Sequence, residues 1–201
     1  MEITPPPKTP IPQTTLVPIS TLPKWAQGAF KSATHLNQIQ TIVYPVAFKS
    51  PKNLLICAPT GAGKTNIALL TILNMVSQKL SEADAQQKAP NLKEMEFKVV
   101  YIAPLKALAS EIVDKFQAAL GYLGLKVREM TGDMSLTKQE LSETHIIVAT
   151  PEKWDVVTRK TDGMMQQVNV LIIDEIHLLN DERGLVLECL VARALNAGIK
   201  L

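Results

Sequence analysis

The stretch Ala58-Pro59-Thr60-Gly61-Ala62-Gly63-Lys64-Thr65 follows directly on the apolar run Leu54-Leu55-Ile56-Cys57. A buried strand, a glycine-rich turn, Lys-Thr and then a helical pattern (Ile67, Ala68, Leu70, Thr71) make the context that a phosphate-binding loop needs. Such a turn aims backbone N–H groups inward, and the helix N-terminus behind them adds partial positive charge. Lys64 is placed to reach the β- and γ-phosphates of a nucleotide, and the Thr65 hydroxyl to ligate Mg²⁺. Ala58 stands where such loops usually begin with glycine.

The rest of the chain alternates regularly. Apolar, strand-like runs at 53–58, 98–103, 126–130, 145–149 and 168–173 are separated by helical patterns near 36–48, 65–79, 106–120, 137–142, 151–159 and 184–196. That alternation predicts an α/β fold, a mostly parallel sheet with helices on both faces. Ligands in such sheets bind beyond the carboxyl ends of the strands. With 201 residues, 46% of them hydrophobic, the chain suits one globular domain. Residues 1–20 hold Pro5, Pro6, Pro7, Pro10, Pro12 and Pro18, and read as a proline-rich arm or linker ahead of a domain over 21–201. Residues 81–97 are polar, are broken by Pro90, and read as a surface loop.

Bulk properties exclude more than they select. A net charge of +2 does not by itself indicate a nucleic-acid partner, so any basic surface must be local. Cys57 and Cys189 both sit in apolar runs and read as two buried thiols in a reducing compartment. No apolar run approaches the ~18 residues of a membrane span, and the N-terminus lacks a basic-then-apolar signal pattern. The expectation is an intracellular protein, cytoplasmic or nuclear, with no membrane partner.

A second motif supplies acidic chemistry. The aliphatic run Val170-Leu171-Ile172-Ile173 delivers Asp174-Glu175-Ile176-His177 at its end, 110 positions after Lys64. The interval leaves room for several βαβ units, so the two strands can be neighbours in space. Asp174 would then hold Mg²⁺ opposite Thr65, and Glu175 would orient or deprotonate an attacking water. His177 fits two roles equally, a polar residue lining the cleft or a sensor of the γ-phosphate position. Between these motifs, three strand ends carry small hydroxyl residues, backbone donors or a lysine: Ala103-Pro104-Leu105-Lys106-Ala107-Leu108, Thr131-Gly132-Asp133 and Thr150-Pro151-Glu152-Lys153-Trp154. Such groups grip phosphates without reading bases, and a row of them would track a single nucleic-acid strand.

Taken together, these residues resemble the first RecA-like domain of a superfamily-two helicase of the Ski type. Ala58–Thr65 matches its motif I, with the alanine start that helicase-type ATPases accept. Ala103–Leu108, Thr131–Asp133 and Thr150–Trp154 resemble motifs Ia, Ib and Ic, and Asp174–His177 matches motif II. Leu36-Asn37-Gln38-Ile39-Gln40 is similar to the Q motif, and Asn180-Asp181-Glu182-Arg183-Gly184 to an extension of this subgroup. The closest likeness is to the N-terminal cassette of large tandem-cassette members, those of ribosome quality control and alkylation repair ahead of those of the spliceosome.

The resemblance implies an ATP- and Mg²⁺-dependent enzyme moving 3′ to 5′ on single-stranded RNA or DNA, within a multiprotein complex. It assigns nucleotide contacts to Ala58, Pro59, Thr60, Gly61, Ala62, Gly63, Lys64 and Thr65, with Gln40 on the adenine edge. Thr65 and Asp174 would serve the metal, and Lys64, Asp174, Glu175 and His177 the chemistry. Pro104, Lys106, Thr131, Gly132, Thr150, Pro151 and Lys153 would contact the nucleic-acid backbone. The family pattern continues into motif III and a second RecA-like domain, which this sequence does not contain, so very slow hydrolysis is expected from it alone. An ATP-binding scaffold that does not hydrolyse, and a P-loop enzyme of another class, are the competing readings.

Overall fold

Four aliphatic runs pair side by side because helices bury both of their faces, the setting in which parallel strands are stable. The computed structural model describes residues 14–85, 92, 96–132, 134–161, 163–180 and 184–201. Its helices are α1 (Lys24–Gln27), α2 (Gln38–Ala47), α3 (Lys64–Ala85), α4 (Lys106–Leu120), α5 (Lys138–Glu143), α6 (Pro151–Lys160) and α7 (Gly184–Asn196). Strands β1 (Lys98–Ile102), β2 (Val127–Met130), β3 (Ile146–Ala149) and β4 (Val168–Ile173) form one parallel sheet in the order β2-β3-β1-β4.

Period-two alternation sorts each strand between two cores. Val99, Tyr101, Ile146 and Val148 pack with α3 and α4 residues such as Leu70, Leu73, Ile112 and Phe116. Val100, Ile102, Ile147 and Ala149 pack with Trp154 of α6 and with Leu187 and Leu190 of α7. Lys98 pairs with Val168 but Val99 pairs with Val170, so Asn169 is bulged out of register, and its side-chain oxygen accepts the Lys98 amide at 3.0 Å. The bulge puts Val170 and Ile172 on the face of Val99 and Tyr101.

Three expectations need correction. Residues 53–58 do not form a strand. A ladder needs a neighbour along its length, and this segment meets one only at its start. The Leu54 amide donates to the Leu201 carbonyl at 2.9 Å, and Leu201 donates back to Asn53 Oδ1 at 3.1 Å. Lys200 bridges in turn to Val170, so Lys200 and Leu201 lie between β4 and the segment. Leu54 and Ile56 still pack on the core, while Leu55 is 83% exposed. The two thiols expected to be buried are both exposed, Cys57 on the outer side of this segment and Cys189 on the outward face of α7. Finally, 81–85 continue α3 rather than opening a loop, helped by Lys79–Glu82 pairing at 2.8 Å. Residues 86–91 and 93–95 lie outside the described residues. At the other end, Val17 to Thr21 pack on the domain: the Leu36 amide donates to the Val17 carbonyl at 2.8 Å, the Ile19 amide donates to the Thr34 carbonyl at 2.9 Å, and Ile19 is buried. The earlier prolines Pro5 to Pro12 lie outside the described residues.

Candidate nucleotide site and nucleic-acid edge

The turn before α3 requires glycine at two positions, since Gly61 and Gly63 have φ of +80° and +85°. Side chains from α2 hold it from behind. Asn37 caps α2 by accepting the Gln40 amide at 2.9 Å, and Gln40 Oε1 accepts the Asn37 amide at 3.0 Å. The free ends of this capping box both reach the turn. Asn37 Nδ2 donates to the Ala62 carbonyl at 2.9 Å and Gln40 Nε2 to the Gly63 carbonyl at 3.2 Å. A side chain at Gly63 would collide with Gln40 Nε2 and Asn37 Nδ2. Gln40 is only 4% exposed, so contact with a base would require it to leave this position.

The acidic motif meets the turn from the sheet. Asp174 follows β4 directly, and its amide donates to the Ile102 carbonyl at 3.0 Å, continuing the β1–β4 ladder. Its Oδ2 accepts the Tyr101 hydroxyl at 2.7 Å and its Oδ1 the Glu175 amide at 3.0 Å. Glu175 has φ +51°, a left-handed conformation rare for a residue with a side chain, costing about 1–3 kcal/mol. That conformation ends the strand and puts the Glu175 carboxylate between Lys64 and His177. Lys64 Nζ lies 3.6 Å from Oε1, and His177 Nδ1 lies 3.2 Å from Oε2. Lys64 also donates to the Ala58 carbonyl at 3.1 Å. His177 is largely exposed. Burial, reinforced by Asp174, pushes the Tyr101 hydroxyl far above its ordinary pKa and keeps it a neutral donor.

A cleft of about 700 Å³ opens here, its walls including Thr60, Lys64, Thr65, Asp174 and Glu175. The donor set fits a Mg²⁺-bound nucleotide. It offers the Lys64 ammonium and a helix N-terminus for phosphates, and the Thr65 hydroxyl and Asp174 carboxylate in the same cleft for a hard, oxygen-seeking cation. Among the described residues no group of three or more His, Cys, Asp or Glu could hold a metal unaided. A metal here would therefore need oxygens from the nucleotide and water as well, which is how Mg²⁺ is usually bound.

Along the carboxyl ends of the strands, three of the predicted groups converge. Lys153 Nζ donates to the Gly132 carbonyl at 2.9 Å and to Ser135 Oγ at 3.0 Å, while Lys106 Nζ lies 3.8 Å from where a Gly132 Cβ would be. Gly132 has φ +52°. Lys106 and Gly132 are exposed and Lys153 is half-buried. Pro104, Thr131 and Pro151 are buried beneath them, and Thr150 precedes α6 with Pro151 in its first turn. The Thr131 hydroxyl is bonded to Glu129 Oε1, and Ser110 Oγ to Glu129 Oε2 at 2.8 Å. Glu129 thus ties the helix after β1 to the turn after β2. Sequence reasoning passed over both Glu129 and Tyr101, because each reads as an ordinary strand residue. Asp133 and Asp181–Arg183 lie outside the described residues.

Comparison with known proteins agrees with this geometry. Residues 37–198 match the DEAD/DEAH box helicase family. The chain is 55% identical over 185 residues to the RQC trigger complex helicase SLH1 of Saccharomyces cerevisiae, covering 90% of this chain and 9% of that protein. It is 52% identical over 180 residues to the pre-mRNA-splicing factor brr2 of Schizosaccharomyces pombe, covering 89% of this chain and 8% of that one. It is 51% identical over 180 residues to human activating signal cointegrator 1 complex subunit 3, covering 88% and 8%. The chain thus spans less than a tenth of the length of these relatives. Among solved structures, a hypothetical ATP-dependent RNA helicase from Sulfolobus tokodaii superposes with a TM-score of 0.68 at 20% identity, covering 89% of this chain and 49% of that one, a likeness of fold.

Proposed function

Because the chain belongs to the DEAD/DEAH box helicase family, we propose that residues 21–201 are the first RecA-like, ATP-binding domain of a helicase that moves along single-stranded RNA or DNA. The observation that carries this reading is the approach of Lys64 to Glu175, 3.6 Å apart, in a cleft also walled by Thr65 and Asp174. Lys64 leaves Glu175 and Ala58 to neutralise the β- and γ-phosphates. The Gly61–Gly63 turn and the first amides of α3 cradle them. Thr65 and Asp174 are the residues that would hold Mg²⁺, which supplies charge neutralisation on the phosphates. Glu175, released from Lys64, orients the attacking water, and His177 fixes the far oxygen of Glu175. Arginines of a second RecA-like domain would complete the site, contributing ~10³–10⁵ in rate.

The edge formed by Lys106, Gly132 and Lys153 supports backbone contact with a single strand, so binding there should tolerate any sequence and weaken with salt. The likeness to the RQC trigger complex helicase supports a place in ribosome quality control, in a multiprotein complex of the cytoplasm or nucleus. The 52% identity to brr2 supports pre-mRNA splicing as the second reading. Travel from 3′ to 5′ is part of the proposal. Glu175→Gln in a chain that carries both RecA-like domains tests the core of it. ATP binding should persist while turnover falls by about 10²–10⁴, the usual contribution of such a base. Equal losses in binding and turnover would contradict the assignment.

A further inference from the structure

We infer that Tyr101 is a positioning residue for Asp174, fixing its carboxylate so that the unused lone pairs face the nucleotide cleft. This rests on the proposal that Asp174 serves the metal. An ionised carboxylate offers about four lone-pair sites. In the structure the Tyr101 hydroxyl takes one on Oδ2 at 2.7 Å and the Glu175 amide takes one on Oδ1 at 3.0 Å. One lone pair on each oxygen is left, and Asp174 lines the cleft. With both oxygens anchored, the carboxylate plane cannot turn about its χ2, a torsion that is otherwise broad.

The fold makes this contact available through register. Tyr101 pairs with Ile172, and Asp174 is two residues further along the same direction. The bulge at Asn169 sets that register; without it, Asp174 would fall on the opposite face from Tyr101. The tyrosine is itself held. It is 2% exposed, and its ring meets Phe116 edge-on at 5.4 Å and 84°. A neutral donor also suits the task. A lysine at this place would cancel the charge that a cation needs, whereas a hydroxyl orients the carboxylate and leaves its charge whole.

The test is nucleotide binding by the whole chain as a function of Mg²⁺, read by calorimetry with ADP in wild type, Tyr101→Phe and Asp174→Asn. Phenylalanine keeps the ring and its contact with Phe116, and a thermal unfolding scan checks that the variant folds. Tyr101→Phe should leave ADP affinity in EDTA within error of wild type. It should raise the Mg²⁺ concentration for half-maximal enhancement about tenfold, the scale on which groups supporting a metal ligand act. Saturating Mg²⁺ should restore wild-type affinity to Tyr101→Phe but not to Asp174→Asn. An unchanged Mg²⁺ midpoint in Tyr101→Phe, with Asp174→Asn shifted, would overturn the role of Tyr101 alone. No shift in Asp174→Asn would overturn the metal assignment of Asp174 and this inference with it. If Tyr101→Phe does not fold, 3-fluorotyrosine at the same position keeps the ring and makes the hydroxyl a stronger donor; the midpoint should then fall, and an unmoved midpoint would overturn the inference.

Discussion

The two walls of the cleft are held by different means. Asp174 and Glu175 end β4, which is bonded to β1 along its length, with the Asp174 amide adding one more bond to Ile102. The Ala58–Gly63 turn follows a segment with a single backbone bond to its neighbour, Leu54 to Leu201. Besides its own bonds, from Lys64 Nζ to the Ala58 carbonyl and from the Ala62 amide to the Pro59 carbonyl, the turn is tied to the domain by the Asn37–Gln40 capping box, whose free amide ends donate to Ala62 and Gly63. The acidic wall is therefore as rigid as the sheet. The wall that carries the glycine turn is as rigid as two amide side chains at the start of α2. A perturbation of the sheet should change global stability, and a perturbation of α2 should change nucleotide affinity.

The largest separation of the two comes from the core. Leu190→Ala, at a fully buried position on the α7 face of the sheet, should cost about 2–5 kcal/mol of stability. Denaturant unfolding should report that loss while calorimetry finds nucleotide affinity unchanged in the folded protein. Loss of affinity without loss of stability would break the comparison.

Next in size is Gln40→Ala. It removes the reciprocal bond of the capping box and the bond to Gly63, each worth about 0.5–1.5 kcal/mol, while the Asn37 cap itself stays. Amides of residues 58–64 should exchange faster by hydrogen-exchange mass spectrometry, and those of β1 and β4 should not. Nucleotide affinity should fall by about three- to tenfold, the binding counterpart of roughly 1 kcal/mol. Protection that falls equally in the turn and in the sheet would show that α2 is part of the global unit.

What the sequence made legible follows from these same restraints. The turn before α3 could be read because its Gly61 and Gly63 answer a local need for positive φ. The acidic motif could be read because Asp174-Glu175 closes an aliphatic run. Apart from the short α1, which was not read, and the C-terminal end of α3, the helices came within a few residues because their apolar periods and caps are local, as with Asn37 and Gln40 in α2. Tyr101 could not be read. Its role depends on a bulge at Asn169 and a register between strands some 70 positions apart, neither of which leaves a local signal. The failure at 53–58 has the same origin in reverse. An aliphatic run states that a segment can form a strand, but pairing depends on what lies beside it. The exposure of Cys57 followed from that error, whereas Cys189 lies on α7 between the buried Leu187 and Leu190 and faces outward.

The smallest effect concerns the opposite end of the sheet. His145, just before β3, is buried and its Nδ1 accepts the Lys126 amide at 3.2 Å, which requires a neutral ring. Burial holds its pKa below 6.5, and the nearby Lys98 and Lys126 charges add to this. The folded state thus binds fewer protons than the unfolded one. Its stability contribution is present above pH 6.5 and is lost as pH falls through the folded value. The unfolding free energy should drop between pH 7 and pH 5, by up to about 1 kcal/mol per pH unit. His145→Asn, which keeps an acceptor but does not titrate, should flatten that slope and leave nucleotide affinity at neutral pH unchanged.

The central claim is that the wall held by α2 side chains binds phosphates through Lys64. Calorimetric titration of the folded chain with Mg²⁺ and ATP tests it most directly, with Lys64→Ala in parallel. The account predicts wild-type dissociation constants of about 10 µM to 1 mM, or roughly 4–7 kcal/mol, and no measurable binding in Lys64→Ala at equal thermal stability. Equal affinity in the two proteins would contradict it.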